Sequence, residues 1–439
     1  MPLNFRSHIN RRSHVILRAR VVLPISQPPI KDGAVSIAGN RIVSVRPWKS
    51  VPASDRARAV DLGEVVLLPG LVNAHCHLDY TAMAGQLAPP SGFVDWLKLI
   101  TTNKAGWMYS DFAESWVAGA NMLLRTGTTT VGDIEMVPDL LPEVWNATPL
   151  RVFSFLEMTG VISRRPPPEI IREAMALIDT LPAGRCEGGL SPHAPYSTTP
   201  ELLRLAAATA RRKKLRLVTH IAESDQEFEM FVSGSGAMFE WLSLAGRDMS
   251  DCGLGSPVQH LHRHGALGEH LLAVHVNYLA PGDALLLAKN KVSVVHCPRS
   301  HTYFQHRQFP LAALAAAGVN VCLGTDSLAS TYKPRKQKVE LNLFDEMREL
   351  ALKEPDLPPA TILEMATRNG AQALGLRGQT GELSPKTFAD LIAIPHAGKT
   401  TAAAEAAVHY RGDVAASMID GQWVVKPQGV LEAPEPASK

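Results

Sequence analysis

The sequence predicts a mixed α/β protein: a closed (β/α)8 barrel of the TIM type, with a small β-sandwich assembled from both ends of the chain. Three observations predict it. From Val65 to Gly324, eight short apolar strand-like runs alternate with helix-length amphipathic segments. Those runs are apolar on successive residues rather than on alternate ones, as suits strands covered on both faces. The two flanks differ in texture, with β-branched runs separated by turn residues. A chain of 439 residues has room for such a barrel and a satellite.

Residues 1–68 read as the N-terminal part of the sandwich. Val15-Ile16-Leu17 and Val21-Val22-Leu23 are strand-like. Lys31-Asp32-Gly33 is expected to turn into Ala34–Ile37, and Gly39-Asn40 into Arg41–Val45. Residues 69–382 read as the catalytic barrel. Its strands are expected at Val65–Leu78, Thr128–Ile134, Arg151–Leu156, Gly188–Ser191, Leu215–Ile221, Leu271–Val276, Val292–His296 and Asn320–Gly324. Helices between them include Glu201–Arg212, Asp283–Lys289 and Leu311–Ala317. Residues 383–439 return to β texture, with Asp390–Ile394, Val408–Tyr410, and Val414–Ile419 joined through Asp420-Gly421 to Gln422–Val425 as a hairpin. The Pro- and Ala-rich tail, Glu432–Lys439, is expected to fray.

Bulk properties narrow the function. With 44 basic against 42 acidic residues, net charge is +2, which gives no electrostatic case for nucleic acid or an anionic membrane as partner. Val15–Pro24 is apolar but interrupted by Arg18 and Arg20, so it reads as neither signal peptide nor membrane span. The five cysteines are odd in number and include no Cys-x-x-Cys pair, as in a reduced, cytoplasmic protein.

The chemistry gathers where apolar runs stop. The first barrel run ends in Pro69-Gly70-Leu71-Val72-Asn73-Ala74-His75-Cys76-His77. On an extended strand, residues i and i+2 point the same way, so His75 and His77 can aim two imidazoles at one ion. Taken alone the pair reads as well as two unrelated histidines. The later strands decide, ending in Ser191-Pro192-His193-Ala194-Pro195-Tyr196-Ser197, Thr219-His220-Ile221-Ala222-Glu223-Ser224, His275, His296-Cys297-Pro298-Arg299-Ser300-His301 and Gly324-Thr325-Asp326-Ser327. In barrels of this kind such ends carry the active site.

These motifs resemble the amidohydrolase superfamily, in its deaminase and chlorohydrolase branch, over nearly the whole chain. The resemblance implies that His75, His77, His220 and Asp326 hold one divalent ion, zinc or alternatively iron. It implies three catalytic residues: Glu223 as proton shuttle to a ring nitrogen, His275 stabilising charge on the attacking oxygen, and Asp326 as proton acceptor as well as ligand. No lysine stands at the fourth strand end, where His193 is found, which argues against the branch with two metals and a carbamylated lysine. The expected reaction is hydrolytic release of ammonia from an aminated N-heterocycle.

Substrate contacts are expected from Asp95, Trp96, His193, Arg299 and His301. Phe93-Val94-Asp95-Trp96-Leu97 is similar to a segment of methylthioadenosine and S-adenosylhomocysteine deaminases in which a carboxylate before Trp-Leu holds the ribose hydroxyls. The alternative for Asp95 is a plain first-turn helix acid. His193 matches a nucleoside-contacting histidine, and Arg299, His301 and Tyr303 are expected to line a polar pocket wall. The run from His296 to His301 is similar to aminodeoxyfutalosine deaminases. An adenine-type nucleoside therefore leads as substrate. Guanine, pterin and triazine rings, with chloride or an alkylamine as leaving group, are the alternatives, and a non-catalytic scaffold relative is a third class. A homo-oligomer is a fold-level expectation. His260, His262 and His264 form a tempting His-x-His-x-His string, but it lies ahead of the sixth strand and is expected to be a surface loop without metal.

Overall fold

The computed structural model describes residues 14–161 and 165–428, so the expected fraying of 432–439 lies outside the described residues. Five strands precede the barrel: β1 (His14–Val22), β2 (Ile30–Ala38), β3 (Arg41–Pro47), β4 (Val60–Asp61) and β5 (Val65–Pro69). Eight parallel strands follow, with helices between them: β6 (Leu71–Cys76), β7 (Thr128–Glu135), β8 (Arg151–Met158), β9 (Glu187–Pro192), β10 (Leu217–Ile221), β11 (Leu271–His275), β12 (Ser293–His296) and β13 (Asn320–Leu323). Last come β14 (Leu391–Pro395), β15 (Ala416–Ile419) and β16 (Gln422–Val425).

The terminal segments join in one sheet of order β16-β15-β14-β5-β1-β2-β3, with β4 beside β1. Leu17, Val35, Ile42 and Leu67 from the N-terminal side share a core with Leu391 and Met418 from the C-terminal side. The expected Asp420-Gly421 hairpin is present between β15 and β16.

Three expectations need correction. The run Val65–Leu78 is two strands in two sheets, broken at Gly70. A Cβ at Gly70 would fall 2.1 Å from Thr129 Oγ1, so the chain can cross between sheets there only without a side chain. Lys31-Asp32-Gly33 is not a turn but part of β2, where Lys31 pairs with Val21 and Gly33 with Ala19. Arg18 on β1 holds Asp32 in place at 2.8 Å, and the reversal falls earlier, before Ile30, where Pro28 and Pro29 stand. Val408–Tyr410 is not a strand. Val408 ends a helix, Ala403–Val408, favoured by its alanines and by burial of Ala403, Ala407 and Val408 on one face.

Within the barrel, Val72, Phe153, Phe155, Val218, Leu272 and Val295 fill the interior. The helix Arg368–Ala373 and the following Leu374 and Leu376 pack into the same core, plugging the N-terminal end. Asn369 caps that plug by donating to the Val321 carbonyl at 2.9 Å. Only the opposite end, where the strands finish, is left for chemistry. All five cysteines are free, and no helix among the described residues is long and apolar enough to cross a membrane.

Candidate active site

The barrel closes at the residues expected to hold the ion. The backbone amides of Thr325 and Asp326 donate to the His75 carbonyl at 3.0 and 3.2 Å, and Cys76 bridges to Asp326. Asn73 and Thr325 exchange two further bonds, Asn73 Nδ2 to Thr325 Oγ1 at 2.8 Å and Thr325 N to Asn73 Oδ1 at 3.0 Å. Gly324 allows this approach, because a Cβ there would sit 2.8 Å from the His75 carbonyl oxygen.

Four expected ligands converge at this seam. His77 Nε2 lies 3.3 Å from His220 Nε2, and Asp326 Oδ1 lies 3.6 Å from His75 Nε2 and 3.7 Å from His77 Nε2. Donors on one zinc at about 2.0–2.1 Å with tetrahedral angles stand about 3.3 Å apart, so these separations fit a shared ion. Both ring nitrogens of His75, and Nε2 of His275, are buried with no hydrogen-bond partner. Orphaned buried imidazole nitrogens are costly unless something binds them. His220 is oriented by its Nδ1, 2.9 Å from the His193 carbonyl, which leaves Nε2 to face inward. Asp326 Oδ2 accepts from Ser300 Oγ at 2.7 Å and Ser330 Oγ at 2.9 Å, leaving Oδ1 for the cluster.

Glu223 and His275 adjoin the cluster. Potential ligand atoms of Glu223, His275 and Asp326 lie within 4.8 Å of one another, as do those of His75, His220 and His275. Glu223 Oε1 is 3.5 Å from His275 Nε2. The two carboxylates are tuned apart. Burial, together with Asp326 and Glu227, pushes the Glu223 carboxyl well above the usual carboxylate range. Burial acts in the same direction on Asp326, but the surrounding imidazoles overcome it and hold Asp326 well below that range. Burial keeps the His275 imidazole neutral far below its ordinary value.

The Glu223 peptide is clamped from both sides. Its amide donates to Glu227 Oε2 at 2.9 Å, and its carbonyl accepts from Asn277 Nδ2 at 2.9 Å. Ser224 caps the helix Asp225–Ser233, accepting from the Glu227 amide at 3.1 Å. The strand ends carry backbone strain as well. Ala222, His275, Val276 and Asp326 have φ of 47°, 73°, 51° and 54°, unusual for residues with side chains.

The expected substrate residues divide. His193 reaches the site, its ring 4.9 Å from that of His220 and its Nδ1 2.6 Å from Ser197 Oγ. Burial and then the charge of Lys104 lower its pKa to about 3, so it is neutral. Trp96 is buried on the helix Phe93–Lys104, packed on Phe93 and Phe304 at 5.8 and 5.1 Å. Asp95 stands in the first turn of the helix Phe93–Lys104 with its carboxylate half exposed, accepting from Ser91 Oγ at 2.9 Å with Lys98 at 3.8 Å. Arg299 is a correction. It braces the helix Leu343–Lys353 through Glu346 and Asp345 and bonds the Glu340 carbonyl at 3.0 Å, so it is not a free pocket wall. His301 has His296, His306 and Phe309 as ring neighbours rather than the metal-side residues. Tyr303 donates to the Ala88 carbonyl at 3.1 Å, tying down the loop ahead of that helix.

The string His260, His262 and His264 is not a surface loop. His260 is a buried residue of the helix Pro257–Arg263, packed on Phe231 and His264 at 4.8 and 4.6 Å. It belongs to none of the metal-capable groups among the described residues. Sequence reasoning missed Ser300, Ser330, Glu227 and Asn277. Only Glu227 had a usable signal, the Ser-x-x-Glu spacing of a capping box from Ser224.

A parallel barrel with three histidines and an aspartate gathered at its strand ends defines a metal-dependent hydrolase. The chain belongs to the amidohydrolase family, whose family description matches residues 66–424. It is 34% identical over 383 residues to a 5-methylthioadenosine/S-adenosylhomocysteine deaminase of Syntrophobacter fumaroxidans, covering 82% of this chain and 80% of that protein. Among solved structures, a zinc-bound adenosine deaminase from Xanthomonas campestris superposes with a TM-score of 0.79 at 25% identity, covering 95% of this chain and 94% of that one. Aminofutalosine deaminase of Helicobacter pylori, in complex with methylthio-coformycin, shares the fold with a TM-score of 0.82 at 22% identity, covering 93% and 100%.

Proposed function

We propose that this protein is a mononuclear metal-dependent aminohydrolase that replaces the exocyclic amine of an adenine-type nucleoside with oxygen and releases ammonia. The observation that carries the reading is the convergence of His75, His77, His220 and Asp326, with Glu223 and His275 touching the same point. Its relatives' names, deaminases of methylthioadenosine, S-adenosylhomocysteine and adenosine, support the substrate class. We further infer zinc as the ion, a small-molecule substrate and a cytoplasmic setting.

The residues present fit a divalent ion, with three imidazoles and one carboxylate as donors. When bound, such an ion lowers the pKa of water toward neutrality and so supplies a nucleophile at working pH. The chain's own groups do the rest. Glu223, held protonated by burial, gives its proton to the ring nitrogen beside the amine-bearing carbon and makes that carbon electrophilic. Asp326, held ionised, accepts the proton of the attacking water and returns it toward the departing amine. His275, neutral and 3.5 Å from Glu223, hydrogen-bonds the oxygen as charge develops. His193 contacts the heterocycle, and Trp96 with its aromatic neighbours shields the chamber from water.

An ammonia-release assay over adenosine, 5′-deoxyadenosine, methylthioadenosine and aminodeoxyfutalosine, beside guanine, pterins and triazines, tests the reading. Ammonia from the adenine nucleosides supports it. Turnover confined to triazines, with chloride or alkylamine released, overturns it.

A further inference from the structure

The connection from β10 to β11 carries three helices, Asp225–Ser233, Ala237–Leu244 and Pro257–Arg263. Between the last two stands Arg247, a buried arginine that neither the ligand cluster nor the proton transfers use. An arginine carries five N–H donors in a rigid plane, and here each has an acceptor. Nη1 and Nη2 hold the two oxygens of Asp251 at 2.7 and 2.8 Å. Nη1 also donates to the Asp248 carbonyl at 2.8 Å. The remaining two donors leave this segment, Nη2 for the Pro195 carbonyl at 3.2 Å and Nε for the Tyr196 carbonyl at 3.1 Å.

Pro195 and Tyr196 are buried in the loop that follows β9, the loop of His193. The carbonyls of this loop are divided between two holders. That of His193 accepts from the amide and from Nδ1 of His220, at 2.8 and 2.9 Å. Those of Pro195 and Tyr196 accept from Arg247, and without it two buried carbonyls would lose a donor. The same loop fixes the His193 ring, through Ser197 Oγ at 2.6 Å from Nδ1 and through the Tyr196 ring at 5.7 Å. The guanidinium also lies 5.8 Å over the ring of Phe231, on the helix that begins two residues after Glu223. Only a planar fork can grip one carboxylate with two donors and still reach two neighbouring carbonyls; an ammonium cannot.

We propose that Arg247 is a positioning residue of the active site. Anchored on Asp251, it sets the loop 193–197 so that the His193 ring meets the substrate heterocycle beside His220. The inference rests on the deamination proposed above, in which His193 contacts the ring. Arg247 acts through His193 rather than on the reacting atoms.

The test replaces the ion pair as a whole, Arg247→Met with Asp251→Leu, so that no unpaired charge is left in the interior. The pair is changed in wild type and in His193→Ala, and metal content, KM and kcat are measured on an adenine nucleoside that wild type turns over. In the wild-type background KM is expected to rise about 10- to 30-fold, with kcat changed less than about threefold and the ion retained. In the His193→Ala background the same change is expected to move KM less than about twofold, because the contact it positions is already gone. Arg247→Lys keeps the charge opposite Asp251 but not the fork; it is expected to raise KM less, and it carries the same cycle if the apolar pair does not fold. Equal rises of KM in both backgrounds, or no rise in the first, overturn the proposal.

A readout without substrate separates that result from failure of the functional reading. The Ser197 and Thr198 amides donate to the Ala194 carbonyl at 3.1 and 3.0 Å, and their hydrogen exchange is expected to quicken in the variant. Unchanged exchange overturns the hold of Arg247 on the loop. Wild type that releases no ammonia from any adenine nucleoside overturns the deamination itself, and exchange then still decides whether Arg247 fixes the loop.

Discussion

Two histidine clusters stand in this chain, and only one is built as a site. His75, His77, His220 and His275 come from the ends of three strands far apart in sequence and meet at one point, with nitrogens of His75 and His275 unpartnered and the backbone at His275 strained. His260, His262 and His264 are close in sequence; the first two sit on one helix, where His260 packs into the core and His262 faces solvent, and His264 follows as its C-cap. The comparison teaches that convergence from separate strand ends marks a ligand set better than close spacing does. A helix turns about 100° per residue, so histidines two apart on it point in opposed directions, while on a strand they share a side.

The comparison can be broken most sharply at its catalytic edge. Glu223→Gln is expected to lower kcat by about 10²–10⁴-fold while the ion is retained, because the amide cannot deliver the proton; ammonia release and elemental analysis of the same preparation check it. His220→Ala should strip most of the bound metal and with it the activity, whereas His260→Ala should leave metal content at the wild-type level; metal analysis of the two variants side by side decides between the clusters. His260→Asn should cost about 1–3 kcal/mol of stability through lost packing, with activity per folded enzyme unchanged, read by denaturant titration.

A pH test sharpens the same contrast. Burial lowers the His260 pKa to about 3, against about 6.5 in an unfolded chain. Between those values the unfolded state binds more protons, so this residue's contribution is fully present above about pH 6.5 and lost as pH falls toward 3. The Asn variant should therefore show a shallower fall of Tm between pH 6.5 and 4.5 than wild type. The smallest effect is expected for His262→Ala, which should change neither metal content nor activity, and stability by no more than about 0.5 kcal/mol.

Much of this was legible in the sequence, and what was not has physical causes. The barrel strands could be read because burial on both faces makes each a continuous apolar run, and the ligands could be read because each stands where a run stops. The passage from β5 to β6 was hidden, since the apolar run continues through Gly70 and only the contact with Thr129 shows the break. Arg299 was misjudged because motif position does not fix the partner waiting for a side chain, here Glu346. Ser300 and Ser330 gave no signal, for a serine that braces Asp326 is spelled like any other.

The closure of the barrel at His75 and Asp326 ties two events together. The first and last staves of the cask, represented by Asn73 and Thr325 across 252 residues, are fastened where the ion is to be gripped. Loading the cation and locking the hoop are then one act. A chelated sample should loosen first along that join, with amide exchange quickening at Thr325 and Asp326 before it does in the plugged floor beneath.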